Sequence, residues 1–270
     1  MNRFENSKSY ESVYIKTEKE IDLIEKACRI VAETLTLIEK KIVPGVSTLE
    51  LDKIAEDFIL SKGAKPAFKG YKIEKKVFPY TLCISIDEVV VHGMPGNRKL
   101  VEGEIVSIDC GACKEGYFGD SAITVAVGKI SELKQRLMKI TNESLFLGLA
   151  QAITGNKVYD ISREIQTFVE NNGFSLTREL VGHGIGKKLH EDPPIPNFVP
   201  PLLSRKNYPN LKLMRGMALA IEPMVHAGTH KVKNLDDGWT VKTADSSPAA
   251  HFEHTVIVDN SKPVILTLRD

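Results

Sequence analysis

The chain lacks several things that particular kinds of protein need. Its four cysteines, at 28, 83, 110 and 113 of 270 residues, match no disulfide framework, which excludes a small stapled secreted domain and suits a reducing cytosol. No apolar run approaches the roughly 20 residues of a spanning helix. The opening MNRFENSKSYESVYIKTEKE has no apolar centre of the kind a secretory signal carries, and its interspersed acids speak against a transit peptide. Excess charge is absent too: 36 Lys and Arg against 35 Asp and Glu leave +1, so no global field draws the chain to DNA or to an anionic membrane. What remains is ordinary globular material, 42% hydrophobic and 26% charged, enough to build a core within one large domain.

Two capping boxes mark helix starts. Thr17 with Glu20 opens one whose stripe is Ile21, Ile24, Cys28, Val31, Leu35 and Ile38, ending at Pro44-Gly45. Ser47 with Glu50 opens a second, which Gly63 ends. Strand-like runs follow at YTLCISIDEVVVHG and EIVSIDCGACKEGYFGDSAITVAVG, the latter a hairpin turning near Gly116. Helical patterns then span about 131–153 and 158–172, followed by β-rich GMALAIEPMV, HFEHTVIV and PVILTLRD. The order helix, helix, strands therefore occurs twice, with no flexible linker between the two runs.

SIDCGACKEGYFGDSA, residues 107–122, contains two rival metal signals. Strand alternation puts Cys110 and Cys113 on opposite faces, so they cannot share one ion, and no second Cys-x-x-Cys exists to complete a zinc site. Asp109 and Asp120 differ. With Lys114-Glu115 as the turn they face each other, whereas a three-residue loop at Gly116 would shift the register by one; carboxylates opposed at about 5 Å repel unless a proton or cation lies between them. Further donors occupy odd settings: His183 between glycines in LVGHGIGKKLHEDP, Glu222 in ALAIEPMV and Glu253 in AAHFEHTVIV. An acid in an apolar run wants a partner. Singly each suits a solvent face or a buried ion pair. Together, four carboxylates and one imidazole fit hard-to-borderline ions such as Mn(II), Fe(II) or Co(II), and so many anions argue for two of them.

The motifs CISIDEVVVHGMP, DCGACKEGYFGD, GHGIGKKLHEDP, AIEPMV and DGWTVKT…FEHTVIV resemble, in order and over about residues 17–268, those of type I methionine aminopeptidases. The resemblance implies an α+β pita-bread (creatinase/aminopeptidase-like) fold, two pseudo-symmetric halves with central antiparallel sheet and outer helices. It implies an N-terminal extension over 1–16 and a single catalytic domain over 17–270. The implied activity is removal of the initiator methionine from nascent chains and peptides with a small second residue, by attack of a metal-bound water on the first peptide bond.

By the same resemblance Asp109, Asp120, His183, Glu222 and Glu253 hold two divalent ions (Co, Mn or Fe(II)). Glu222 also handles the proton of the attacking water. His92 steadies the scissile amide, and His190 hydrogen-bonds the substrate carbonyl. Tyr71, Phe78, Cys83 and Trp239 form the methionine pocket. Phe68 stands where many relatives have a small Cys, and Leu189 where an aromatic is usual. His226, His230, His251 and His254 receive no role, with His251 the first of them to test. The lysine-dense stretch 62–76, KGAKPAFKGYKIEKK, reads first as a solvated loop, with a transient ribosome contact as the alternative. The expected enzyme is a cytoplasmic monomer acting on nascent N-termini, without membrane or DNA partners. Its rivals are an Xaa-Pro peptidase, whose relatives usually add an N-terminal domain, and a catalytically dead binding module, against which the intact ligand set stands.

Overall fold

The computed structural model describes residues 13–74 and 76–269. Of the expected extension over 1–16, residues 1–12 lie outside the described residues. Residues 13–16 lie against the body, where the Lys16 N–H donates to the Gly216 carbonyl at 2.9 Å and its buried ammonium pairs with Glu191.

Among the described residues, four α-helices and a set of antiparallel sheets repeat one order. Helix α1 is Glu18–Glu39. Its start is fixed by the reciprocal Thr17–Glu20 capping box, and Ile24, Cys28, Val31, Leu35 and Ile38 are fully buried. Each such side chain contributes about 1.5–3 kcal/mol relative to exposure. The helix stops at Glu39, ahead of Pro44-Gly45, and Ile42 just beyond it still packs into the same core. Helix α2, Thr48–Ser61, is capped by the Ser47 hydroxyl accepting from Glu50 N–H, and Gly63 at φ +64° closes it. Helices α3, Glu132–Ala150, and α4, Val158–Asn171, open the second half.

Each half has its own core. In the first, the hairpin of strands Ile105–Lys114 and Tyr117–Ala126, with strand Leu82–Ile86 on its other side, packs under α1 and α2. In the second, strand Ala218–Ile221 lies between His254–Ile257 and Gly182–Gly184, and the last of these pairs in turn with Glu191–Ile195. Helices α3 and α4 cover that half. Strand Met224–His226 pairs with Ala249–His251. No helix among the described residues is long and apolar enough to cross a membrane.

The halves join edge to edge. Glu253 N–H donates to the Ala122 carbonyl at 2.9 Å, the Ser121 hydroxyl to the Glu253 carbonyl at 2.6 Å, and the Thr255 hydroxyl to the Asp120 carbonyl at 2.8 Å. Helix α1 presses so closely on the hairpin that a Cβ on Gly119 would sit 2.5 Å from the Cys28 nitrogen. Gly119→Ala should therefore cost about 1–3 kcal/mol by overpacking. Gly96→Ala, where a Cβ meets nothing within 4 Å, should cost far less. Urea melts of the two variants decide, and equal midpoints would refute the close approach.

Candidate metal centre

The hairpin turn is Glu115–Gly116, both at positive φ, 52° and 83°, the backbone of a two-residue turn that suits strand twist and wants Gly second. Lys114 thus faces Tyr117, Asp109 faces Ala122, and Asp120 faces Gly111. The expected direct opposition of Asp109 and Asp120 is corrected: the turn lies one residue further on, which shifts the register by two. An even shift keeps both carboxylates on one face, now as diagonal neighbours. Cys110 faces the other way, fully buried in the core under α1 and α2, and Cys113 is half-buried near the turn. They form no chelate.

One row crosses the seam. Cys83 pairs with Asp109, Asp109 with Ala122, and Ala122 with Glu253. Cross-strand neighbours share a face, so residues 144 positions apart in sequence aim their carboxylates into the same space. His183 reaches that space because both its neighbours are glycines. A Cβ on Gly182 would lie 2.4 Å from the Ala220 carbonyl oxygen, and one on Gly184 2.2 Å from that of Asp192. Only glycine lets the strand sit between its two partners. Ligand atoms of Asp120, His183 and Glu253 lie within 4.8 Å of one another. Glu222 follows its strand directly. Its carbonyl accepts from Asn197 Nδ2 at 2.9 Å, and its Oε1 lies 3.7 Å from His183 Nε2.

His183 Nδ1 is 2.9 Å from the Gly184 carbonyl oxygen, so it carries the hydrogen and Nε2 presents a lone pair to Glu222. Lone pair faces lone pair, a contact that asks for a cation. The same demand recurs around it. Asp109 Oδ1, Asp120 Oδ1 and Glu253 Oε1 are buried with no hydrogen-bond partner. Burial, then repulsion from Glu222 working against the nearby His251, pushes Asp109 up to about 7. Burial and neighbouring carboxylates push Asp120 and Glu253 well above the ordinary range. Lys187, at the cavity rim, is paired with Glu20 instead, at 3.1 Å. The donor set, oxygen-rich with one imidazole, fits a divalent cation site.

The site opens into a cavity of about 770 Å³ shared with an aromatic wall. Phe68, Phe78, Cys83, Leu189 and Trp239 are buried there together, with Tyr71 packed against them. Phe78 and Trp239 meet edge to face at 5.3 Å. Phe68 fits because Gly111 has no side chain, a Cβ there lying 2.8 Å from the Phe68 ring. His92 and His190 line the same cavity. His92 is held at φ 58°, a conformation that costs a non-glycine residue energy and concentrates at functional sites. His190 packs edge-on against His183 at 4.4 Å, and its Nδ1 is 2.8 Å from the Tyr71 hydroxyl. His226 and His254 are structural, bonded to Thr177 and Thr267 respectively. His251 is different. It is 1% exposed, and its Nε2 lies 3.5 Å from Glu222 Oε2. Its place two residues before Glu253 was its only signal in sequence.

The model of metallopeptidase family M24 matches residues 22–260. The methionine aminopeptidase of Clostridium perfringens is 52% identical over 256 residues, 95% of this chain and 99% of that protein. Methionine aminopeptidase 1 of Bacillus subtilis is 49% identical, over 94% and 99% respectively. Among solved structures, the Thermotoga maritima methionine aminopeptidase is similar at a TM-score of 0.89 and 40% identity, covering 96% of this chain and 100% of that one. A Pyrococcus furiosus prolidase shares the fold, with a TM-score of 0.75 at 23% identity over 96% of this chain and 66% of that one.

The raised acids set a pH dependence. In metal-free protein the folded state holds a proton on Asp109 that the unfolded chain releases near pH 4. That contribution to stability is therefore complete below about 4 and lost as pH rises through about 7. Chelator-treated wild type should lose stability relative to Asp109→Asn across that window, measured by urea melts. A difference that does not change with pH would place Asp109 outside an acidic cluster.

Proposed function

The chain belongs to metallopeptidase family M24, and from that premise we propose that it is a metal-dependent methionine aminopeptidase of the pita-bread fold. It removes the initiator methionine from chains and peptides with a small second residue, a reading supported by relatives at 49–52% identity over nearly their full length that are named methionine aminopeptidases. The observation that carries the reading is the Asp109–Ala122–Glu253 row opening into the cavity that holds the aromatic wall.

Asp109, Asp120, His183, Glu222 and Glu253 would hold two divalent ions, with Mn(II), Fe(II) or Co(II) matching the donors. Such a pair supplies a Lewis acid for the scissile carbonyl and a water acidic enough to act near neutral pH. The protein's own groups do the rest. A thioether packs well on ring edges, so Tyr71, Phe78, Cys83 and Trp239, joined by Phe68 and Leu189, receive the methionine side chain. With the Tyr71 hydroxyl donating to His190 Nδ1, Nε2 carries the hydrogen and donates to the substrate carbonyl oxygen. His92 steadies the amide nitrogen. Glu222 takes and returns the proton, a role worth about 10²–10⁴ in rate.

We place the enzyme in the cytoplasm as a monomer acting on nascent N-termini; its free cysteines suit a reducing compartment. The lysine-rich stretch 62–76 is the surface assigned to a transient ribosome contact. Lys62 and Lys69 are paired with Glu33 and Glu56, each at 2.6 Å, so among the described residues Lys65, Lys72 and Lys76, all exposed, provide the remaining charge.

Protein stripped by chelator and resupplied with Mn(II), Fe(II) or Co(II) should cleave Met-Ala-Ser and leave Xaa-Pro peptides intact. Glu222→Gln should lower kcat by about 10²–10⁴. Cleavage of the Xaa-Pro peptide alone would reject the assignment.

A further inference from the structure

We propose that His251 is a positioning residue for Glu222: its Nε2–H donates to Glu222 Oε2 and thereby aims Oε1 at the cation site. The inference rests on the metallopeptidase reading above and deepens it.

The carboxylate of Glu222 is spanned by two imidazoles that differ in what they can offer. Oε1 lies 3.7 Å from His183 Nε2, whose lone pair is fixed by the bond from Nδ1 to the Gly184 carbonyl. That oxygen is therefore the one turned to a cation. Oε2 lies 3.5 Å from His251 Nε2, a buried nitrogen that makes no hydrogen bond among the described residues. A buried polar atom without a partner is costly, at about 1–3 kcal/mol. That need is met when His251 carries its hydrogen on Nε2 and the gap closes to an ordinary hydrogen bond. A carboxylate with one oxygen on metal and the other on a donor is held in orientation, which is how outer-shell groups tune metal sites.

His251 is mounted rigidly enough to do this. The Thr124 hydroxyl donates to the His251 carbonyl at 2.7 Å and accepts from the His251 N–H at 3.0 Å. That hydroxyl has a single hydrogen, so Ser107, whose oxygen is 2.9 Å away, must be the donor to it. Ser107 and Thr124 are themselves buried. The mount thus comes from the hairpin that carries Asp109 and Asp120, and His251 faces Met224, two residues beyond Glu222. His251 does not line the cavity among the described residues. The Glu222 carboxylate stands between it and the other ligands, which makes it a donor behind the site rather than a sixth ligand.

The test compares His251→Gln, which keeps an N–H donor, with His251→Leu, which does not. Chelator-treated proteins are titrated with Mn(II) by calorimetry and assayed on Met-Ala-Ser, with their metal-free melting temperatures confirming the fold. His251→Leu should bind Mn(II) about 10–100-fold more weakly and lose kcat at unchanged KM, whereas His251→Gln should stay close to wild type in both. Wild-type Mn(II) binding by the leucine variant, or equal damage in both variants, would overturn the proposal. Should the leucine variant fail to fold, Thr124→Val, which loosens the mount and keeps the imidazole, carries the test: weakened Mn(II) binding supports the role and wild-type binding overturns it. A wild type that binds Mn(II) but does not cleave Met-Ala-Ser would remove the peptidase reading and leave the affinity comparison standing.

Discussion

Carboxylates gathered away from water repel one another, and Asp109, Asp120, Glu222 and Glu253 converge so closely that burial and mutual repulsion raise the pKa of the first, second and last of them. Ionising them together without a counter-charge is among the costliest things a protein interior can do. The fold is built to keep them together nonetheless. Asp109 Oδ1, Asp120 Oδ1 and Glu253 Oε1 have no hydrogen-bond partner among the described residues, and the His183 imidazole turns its lone pair toward Glu222. The pocket wall, the flanking histidines and the support behind Glu222 all acquire meaning from that unmet charge.

The constraint explains why the two halves are joined as they are. Residues drawn from the first half alone would supply Asp109 and Asp120, too few donors for a closed cation site. The edge-to-edge contact through Ala122 and Glu253, reinforced by Thr255 on the Asp120 carbonyl, brings the second half's acids into register with the first. The same hydroxyl-rich seam carries Thr124, which holds His251. Sheet pairing, usually an argument about stability, here sets the geometry of the chemistry.

Much of this was legible in sequence, for reasons that can be named. The Thr17–Glu20 capping box and the stripe through Cys28 and Ile38 were local signals, and local signals survived folding. The face shared by Asp109 and Asp120 was readable because side-chain parity is insensitive to an even register error; their direct opposition was not, because it hung on which residue opens the turn. Short strands such as Gly182–Gly184 and Glu191–Ile195 show no alternation and contain glycines or prolines, so only tertiary pairing reveals them. The candidate ligands stood out as a pair of aspartates on one hairpin face, two glutamates in apolar runs and an imidazole between glycines. Their roles came from resemblance to a known family, and the contribution of His251 became visible only once Glu222 was seen between two imidazoles.

The central claim is that five side chains from two halves form one cation site, and it can be seen directly. Crystals grown with Mn(II) should show two anomalous-difference peaks enclosed by Asp109, Asp120, His183, Glu222 and Glu253, beside the Phe78–Trp239 wall. Manganese bound elsewhere, or no peak between Asp109 and Glu253, would contradict the account.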